Sequence, residues 1–288
     1  MNNMRTKIHW NLHNHCTAKC TYCPSRFWQG DTPPHISDYL DITNKLISHY
    51  KSMNREIDWT FDGGEPLEMF DFPMILKLCK ENNGNITLNS NGGNMWLDWW
   101  AIEPHVSTLN LTYHYWQQSP LIKFILDTFR KKDKPVNVIV PIRPDYFEED
   151  IQRALDTESA YNIVVGKAVL YNEADPGGGM FPYTSDQLRI MRGEDLVQEN
   201  QHHKETTFKE RFEEKIASNP SFTGMLCNTG IEALRISYDG WATGSDCNNR
   251  PLGNIWHPGF QLPNDPHQCG MMACMSTSDQ QIIKFNPK

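Results

Sequence analysis

Apolar and polar positions switch between two periods along the first 170 residues. Lys7-Ile-His-Trp-Asn-Leu12 alternates as a half-buried strand does. Ile36 to Tyr50 then puts Tyr39, Leu40, Thr43, Leu46, Ile47 and Tyr50 on one helical face, with Ser37 in the N-cap position. Alternation returns over Glu56–Asp62 and stops at Gly63-Gly64. The beat continues with a helix over 72–82, a strand over 85–91 closed by Gly92-Gly93, a Trp-rich segment over 95–102 and a strand over 106–114. A helix over 120–132, a strand over 136–142, a helix over 146–157 and a strand over 161–170 complete it. Six strands alternating with helices predict an α/β fold. Its sheet should be mostly parallel, with right-handed crossovers and loops gathered at one sheet edge.

The pattern breaks at Asp175-Pro-Gly-Gly-Gly179, which reads as a flexible turn, since no strand-to-helix context of a phosphate loop surrounds it. Thr184 to Ser218 is polar and helical, and His202 and His203 belong there to a solvated surface. After Pro220 two short strand-like runs, Ala233–Tyr238 and Trp241–Thr243, flank Asp239-Gly240, a hairpin signal. The expected organisation is a first unit over 1–175, a helical connection over 176–220 and a small C-terminal unit over 221–288.

A length of 288 residues suits one α/β barrel with an appendage. The net charge of −8, without any basic run, argues against a broad phosphate-binding surface and so against nucleic acid as a partner. No apolar run approaches a membrane span, and the N-terminus lacks the apolar core of a signal peptide, so a cytoplasmic setting with reduced thiols is expected. There, eight cysteines point to metal. Seven lie in two groups at opposite ends of the chain, and Cys79 sits at helical spacing as a core residue.

Cys16-Thr-Ala-Lys-Cys20-Thr-Tyr-Cys23 directly follows the first strand. Three close thiols cannot all pair with one another, so a metal centre explains them better than disulfides. Zinc would need a fourth ligand such as His13 or His15, whereas a four-iron cube held by three thiolates keeps one iron without a protein ligand. The CxxxCxxC loop, with Tyr22 before its last cysteine, resembles the signature of radical S-adenosylmethionine (radical SAM) enzymes. Asp62-Gly63-Gly64-Glu65-Pro66, one βα unit later, resembles the GGE segment with which that family holds the methionine amine. Leu88-Asn89-Ser90-Asn91-Gly92 is similar to its TNG-type segment, and equally reads as a polar strand end and turn. No GxIxGxxE segment follows on the fifth strand.

The resemblance implies a partial (β/α)6 barrel of TIM-barrel type, a [4Fe–4S] cluster on Cys16, Cys20 and Cys23, and S-adenosylmethionine on its open iron. Glu65 would then bind the methionine amine, Gly63 and Gly64 would give backbone contacts, and Tyr22, Asn89 and Asn91 would lie at the cofactor. Thr112, His114 and Arg143 are further candidates by position, Arg143 for the methionine carboxylate. The implied reaction is reductive cleavage to a 5′-deoxyadenosyl radical that takes hydrogen from a small molecule or a peptide, with net oxidation or rearrangement. An external reductant such as flavodoxin or ferredoxin would supply the electron.

Cys227, Cys247, Cys269 and Cys274 bracket the hairpin, with Gly240 between the first two. Four thiolates suffice for every iron of one cluster. The arrangement resembles a twitch domain, the half-size relative of SPASM, which implies a small C-terminal β-hairpin and helix unit carrying a second, auxiliary [4Fe–4S] cluster. Zinc on the same four thiols is the alternative there. Two other classes compete for the whole chain: a zinc-stabilised Cys-rich binding protein and a non-catalytic iron–sulfur electron carrier.

Overall fold

The computed structural model describes residues 4–30, 34–93, 99–171, 179–193, 221–246, 250–271, 274 and 277–287. Strands β1 (Met4–Asn11), β2 (Arg55–Asp62), β3 (Asn85–Ser90), β4 (Thr108–Thr112), β5 (Val136–Ile142) and β6 (Val165–Val169) pair in sequence order, every pair parallel. Helices α1 (Ile36–Ser52), α2 (Phe72–Glu81), α3 (Trp99–Ile102), α4 (Ser119–Arg130) and α5 (Phe147–Tyr161) fill the crossovers. The alternating β/α order is thus the one the periodicity predicts.

The two faces of this sheet differ. Ile8, Trp10, Ile57, Trp59, Phe61, Leu88, Leu111 and Val140 are buried on one face in a single core that also holds Tyr39, Tyr50, Phe72 and Phe129 from the helices. Trp10 packs against Tyr39, Trp59 and Phe61 at centroid distances of 5.8, 6.5 and 6.3 Å, and burial of each such ring contributes about 2–3 kcal/mol. The alternate positions, Lys7, His9, Asn11, Asp58, Thr60, Asp62, Thr87, Asn89, Asn110 and Thr112, are polar and none is fully buried. Sheets covered on both faces carry apolar runs; here the second face is an inner, polar surface that can receive a ligand.

Several boundaries depart from the sequence expectation. His35, not Ser37, caps α1, its ring accepting the Ser37 N–H. β4 ends at Thr112, leaving His114 in the loop beyond the strand. α5 runs on to Tyr161 and stops at Asn162 in the left-handed conformation (φ 49°), so β6 begins only at Val165. Cys79 is fully buried in the core, as expected. Residues Asp175 to Gly178, His202 and His203 lie outside the described residues, as does most of the expected connection. Its described part is α6 (Ser185–Arg192), opened by a capping box of Thr184 and Gln187.

The hairpin forms as expected, β8 (Ala233–Ile236) with β9 (Trp241–Thr243), and Gly240 takes a φ of 83° at its turn. Its position is new: β8 lies parallel to β1, Lys7 opposite Ala233 and Trp10 opposite Ile236. With β10 (Pro251–Asn254) the hairpin extends the barrel sheet to nine strands. A second sheet of three short strands joins β11 (His267–Gln268), β7 (Leu226–Cys227) and β12 (Lys284–Phe285). Among the described residues no helix is long and apolar enough to cross a membrane.

Candidate metal and cofactor site

The thiol loop leaves β1 and is closed on itself by backbone. His15 and Gln29 form an isolated bridge, and Gly30 N–H donates to Asn14 O at 3.0 Å. A Cβ at Gly30 would fall 1.6 Å from Asn14 Oδ1, so glycine lets the ends of the loop meet. Within it Cys23 N–H donates to Cys20 O at 2.9 Å and Trp28 Nε1–H to Cys23 O at 3.1 Å. Cys16 and Cys23 are half-buried and Cys20 is buried, and none of the three is in a disulfide. Burial pushes the Cys16 thiol up to about 11.

Gly63 and Gly64 serve this loop directly. A Cβ at Gly63 would stand 2.4 Å from His13 O, and one at Gly64 2.0 Å from His15 O. The backbones cross there, with Gly64 N–H on His13 O at 2.6 Å and Glu65 N–H on His15 O at 2.9 Å. Both glycines thus let β2 lie close against the protein's own thiol loop.

Glu65 is buried, and its carboxylate joins two strand ends. Oε1 accepts Leu67 N–H at 3.0 Å and Ser90 Oγ–H at 2.7 Å, and Oε2 accepts Asn91 N–H at 2.7 Å. Burial nevertheless raises its pKa to about 7, the three donors only partly offsetting the desolvation. A carboxylate has about four acceptor positions, so one on Oε2 stays free of these partners. Asn91 continues the chain of contacts, its Nδ2–H reaching Cys16 Sγ at 3.8 Å. Strand ends β2 and β3 therefore meet at the first thiol.

Glu68, three residues beyond Glu65, is the clamp that sequence reading missed. It accepts Thr17 N–H at 2.8 Å and Thr17 Oγ–H at 2.6 Å, and pairs with His15 Nε2 at 3.3 Å. Its spacing from the GGE segment was visible, but nothing local shows that it reaches back 51 residues.

His114 stands at Cys20. Its Nδ1 lies 3.7 Å from Cys20 Sγ and is hydrogen-bonded to Tyr22 Oη. The ring stacks between Tyr22 and Trp116, with interplanar angles of 18° and 8°. Burial lowers its pKa to about 4, so the ring is neutral near pH 7. Arg143 is already engaged. Nε and Nη2 each meet an oxygen of buried Asp150 at 2.8 Å, and the guanidinium lies 3.9 Å over Tyr115. Asn89 does not reach the thiols; it joins Asp62 and Asn110 on the inner face, where Thr112 also stands.

The donors fit an iron–sulfur or zinc centre, since soft thiolates are what both take. Among the described residues no three His, Cys, Asp or Glu side chains converge at the spacing of one ion. A four-iron cube spaces its thiolates more widely, and the loop is compatible with that. His13 adds an unused donor: its Nδ1 accepts His15 N–H at 3.1 Å, which leaves the proton on Nε2, buried and facing no protein acceptor.

At the other end Cys227, Cys269 and Ile282 share a separate small core. Cys269 N–H donates to Met225 O at 2.7 Å, fixing its strand against that of Cys227. Cys274 is also buried, next to Cys269 and Lys284, and burial raises its thiol. Cys247 lies outside the described residues. A cavity of about 300 Å³ is lined by Lys7, His9 and Thr60 of the inner face and by Arg235, Asp246 and Gln281 of the C-terminal part.

The tryptophans divide between core and rim. Trp10, Trp59 and Trp99 are fully buried, whereas Trp100 and Trp116 are 61% and 39% exposed; Trp96 lies outside the described residues.

No family model matches the chain, and no curated protein matches its sequence. Solved structures share its fold. Native anSMEcpe with bound AdoMet and Cp18Cys peptide is 12% identical, with a TM-score of 0.53 over 88% of this chain and 77% of that one. Streptococcus suis SuiB bound to S-adenosylmethionine is 14% identical, with a TM-score of 0.53 over 89% of this chain and 65% of that one. SuiB bound to precursor peptide SuiA is 14% identical, at 0.51 over 84% and 60%. The parallel barrel sheet and the hairpin that extends it thus share the fold of structures solved with S-adenosylmethionine bound.

Proposed function

We propose that the protein is a radical SAM enzyme with one auxiliary iron–sulfur cluster. The observation that carries this is the meeting of three strand ends: Asn91 touches both Glu65 and Cys16, so the expected amine acceptor and the thiol loop share one neighbour. When bound, the cluster and S-adenosylmethionine supply a 5′-deoxyadenosyl radical that abstracts hydrogen from a substrate. The chain's own residues hold and shield. Cys16, Cys20 and Cys23 ligate, and Glu68 ties the loop down through Thr17 and His15. Glu65 offers its remaining acceptor position to the methionine amine, and Gly63 and Gly64 let the loop lie against β2. Tyr22, His114 and Trp116 wall the site with stacked rings at Cys20. Arg143 is fixed by Asp150 through Nε and Nη2, which leaves Nη1 for a carboxylate.

Cys227, Cys247, Cys269 and Cys274 hold the auxiliary cluster. Fully ligated, such a cluster would pass electrons rather than bind substrate, which favours a net oxidation. The substrate is a small molecule or a peptide, and the peptides in the anSMEcpe and SuiB structures support the second. A flavodoxin or ferredoxin in the cytoplasm provides the electron. Anaerobic reconstitution tests the reading. Roughly eight irons per chain are expected from two four-iron clusters, with 5′-deoxyadenosine formed after dithionite. Colourless protein carrying only zinc would overturn it.

A further inference from the structure

Two side-chain oxygens on neighbouring strands, Asn11 Oδ1 and Asp62 Oδ1, are buried and meet no protein donor. Their residues end β1 and β2, stand opposite each other in the parallel register, and both belong to the polar inner face. The other oxygen of Asp62 is engaged: Oδ2 meets His9 Nε2 at 2.5 Å and accepts Asn89 Nδ2–H at 3.5 Å. Behind Asn89 the ladder continues across the sheet. Asn110 Nδ2–H donates to Asn89 Oδ1 at 2.7 Å, and Asn137 Nδ2–H to Asn110 Oδ1 at 2.8 Å. Every amide in this row donates toward Asp62, so their dipoles add along the row.

An acceptor left bare in a buried setting costs free energy, and two side by side at the working edge of a parallel barrel call for a ligand that brings donors. Anions are disfavoured by the Asp62 charge. We propose that Asn11 Oδ1 and Asp62 Oδ1 form a substrate subsite for a primary ammonium or hydroxyl group, recognised by its N–H or O–H donors. The ladder of Asn89, Asn110 and Asn137 holds the carboxylate in place through Oδ2, and His9 fixes its orientation. The subsite rests on the reading that the inner face receives substrate, and it narrows the substrate to one bearing an amine or alcohol near the reacting carbon.

Binding of three shape-matched probes to the full chain tests this by saturation-transfer NMR, with and without reconstituted clusters. Isopropylammonium and 2-propanol supply the two donor types, and isobutyrate supplies an anion, each up to about 100 mM, because so few atoms bind weakly at best. Wild-type protein should bind the ammonium, the alcohol or both at least about tenfold more tightly than isobutyrate. Asp62→Asn and Asn11→Ala should each weaken that binding about tenfold, and saturating S-adenosylmethionine should leave it intact. A ladder that is only structural would lower the melting temperature of these variants without touching probe affinity. Equal affinity in the variants, no binding of either donor probe, or displacement by S-adenosylmethionine would overturn the subsite, the last by assigning the donor to the cofactor. 5′-Deoxyadenosine formation, measured separately, shows whether the radical SAM reading stands when the subsite fails.

Discussion

The two groups of thiols are built on opposite principles. At the N-terminus, Cys16, Cys20 and Cys23 hang on a loop outside the sheet, held by glycine contacts, Glu68 and a stacked histidine, and two of the three are half-exposed. At the C-terminus, Cys227, Cys269 and Cys274 are each 3–4% exposed, and two of them form a core in their own right. The first arrangement would leave room at a bound metal for something to arrive. The second would shut a metal in, and folding of the small sheet would then depend on it. If both groups hold clusters as proposed, exposure separates a centre suited to chemistry from one suited to stability and electron passage.

The largest break in this comparison is expected from Cys20→Ala. 5′-Deoxyadenosine formation should fall to background, while iron counting should show about four of roughly eight irons retained in the distal cluster. Cys269→Ala should act the other way. Iron should also fall by about half, and the melting temperature should drop by about 5 °C or more, because a buried thiol and the centre it helps hold are lost together.

Glu65→Gln sharpens the picture at the strand ends. In the cofactor-free protein the folded chain keeps the Glu65 proton up to a pH of about 7, while the unfolded chain releases it near 4.5. Stability should thus fall as pH rises through that window and level off above it, by on the order of 3 kcal/mol. Chemical denaturation across the window should show that slope in wild type and its loss in the variant. The smallest effect is expected from Glu68→Ala. Cutting the Thr17 and His15 contacts should lower S-adenosylmethionine cleavage about tenfold, with distal iron unchanged, because a partly exposed clamp contributes about 1–2 kcal/mol. Equal oxygen lability of the two clusters in wild type would remove the contrast altogether.

Much of the barrel was legible because it is written in local periodicity. The alternation of Ile57, Trp59 and Phe61 with Asp58, Thr60 and Asp62 predicts both a strand and the two unlike faces it presents. The thiol spacing over residues 16–23 is local too, and it points to the end of the first strand where the loop stands. Boundaries failed where a cap or a bend decided them, as with His35 in place of Ser37 and with Asn162, whose left-handed backbone delays β6. Glu68 and the Asn89–Asn110–Asn137 ladder stayed hidden because their partners lie 21 to 51 residues away and no period marks them.

By itself, then, the order of residues determined the β/α alternation, the hairpin at Asp239-Gly240 and the grouping of thiols at both ends. Side-chain period and turn chemistry act within a few residues, and those features need nothing more. Tertiary structure alone decided that β8 lies against β1, that Gly63 and Gly64 make way for the thiol loop, and that Asn11 and Asp62 face each other with an oxygen bare. Each of these depends on which distant backbone a strand edge accepts and in what register. That choice is made by the burial and hydrogen bonding of the whole sheet, which no short stretch of sequence carries.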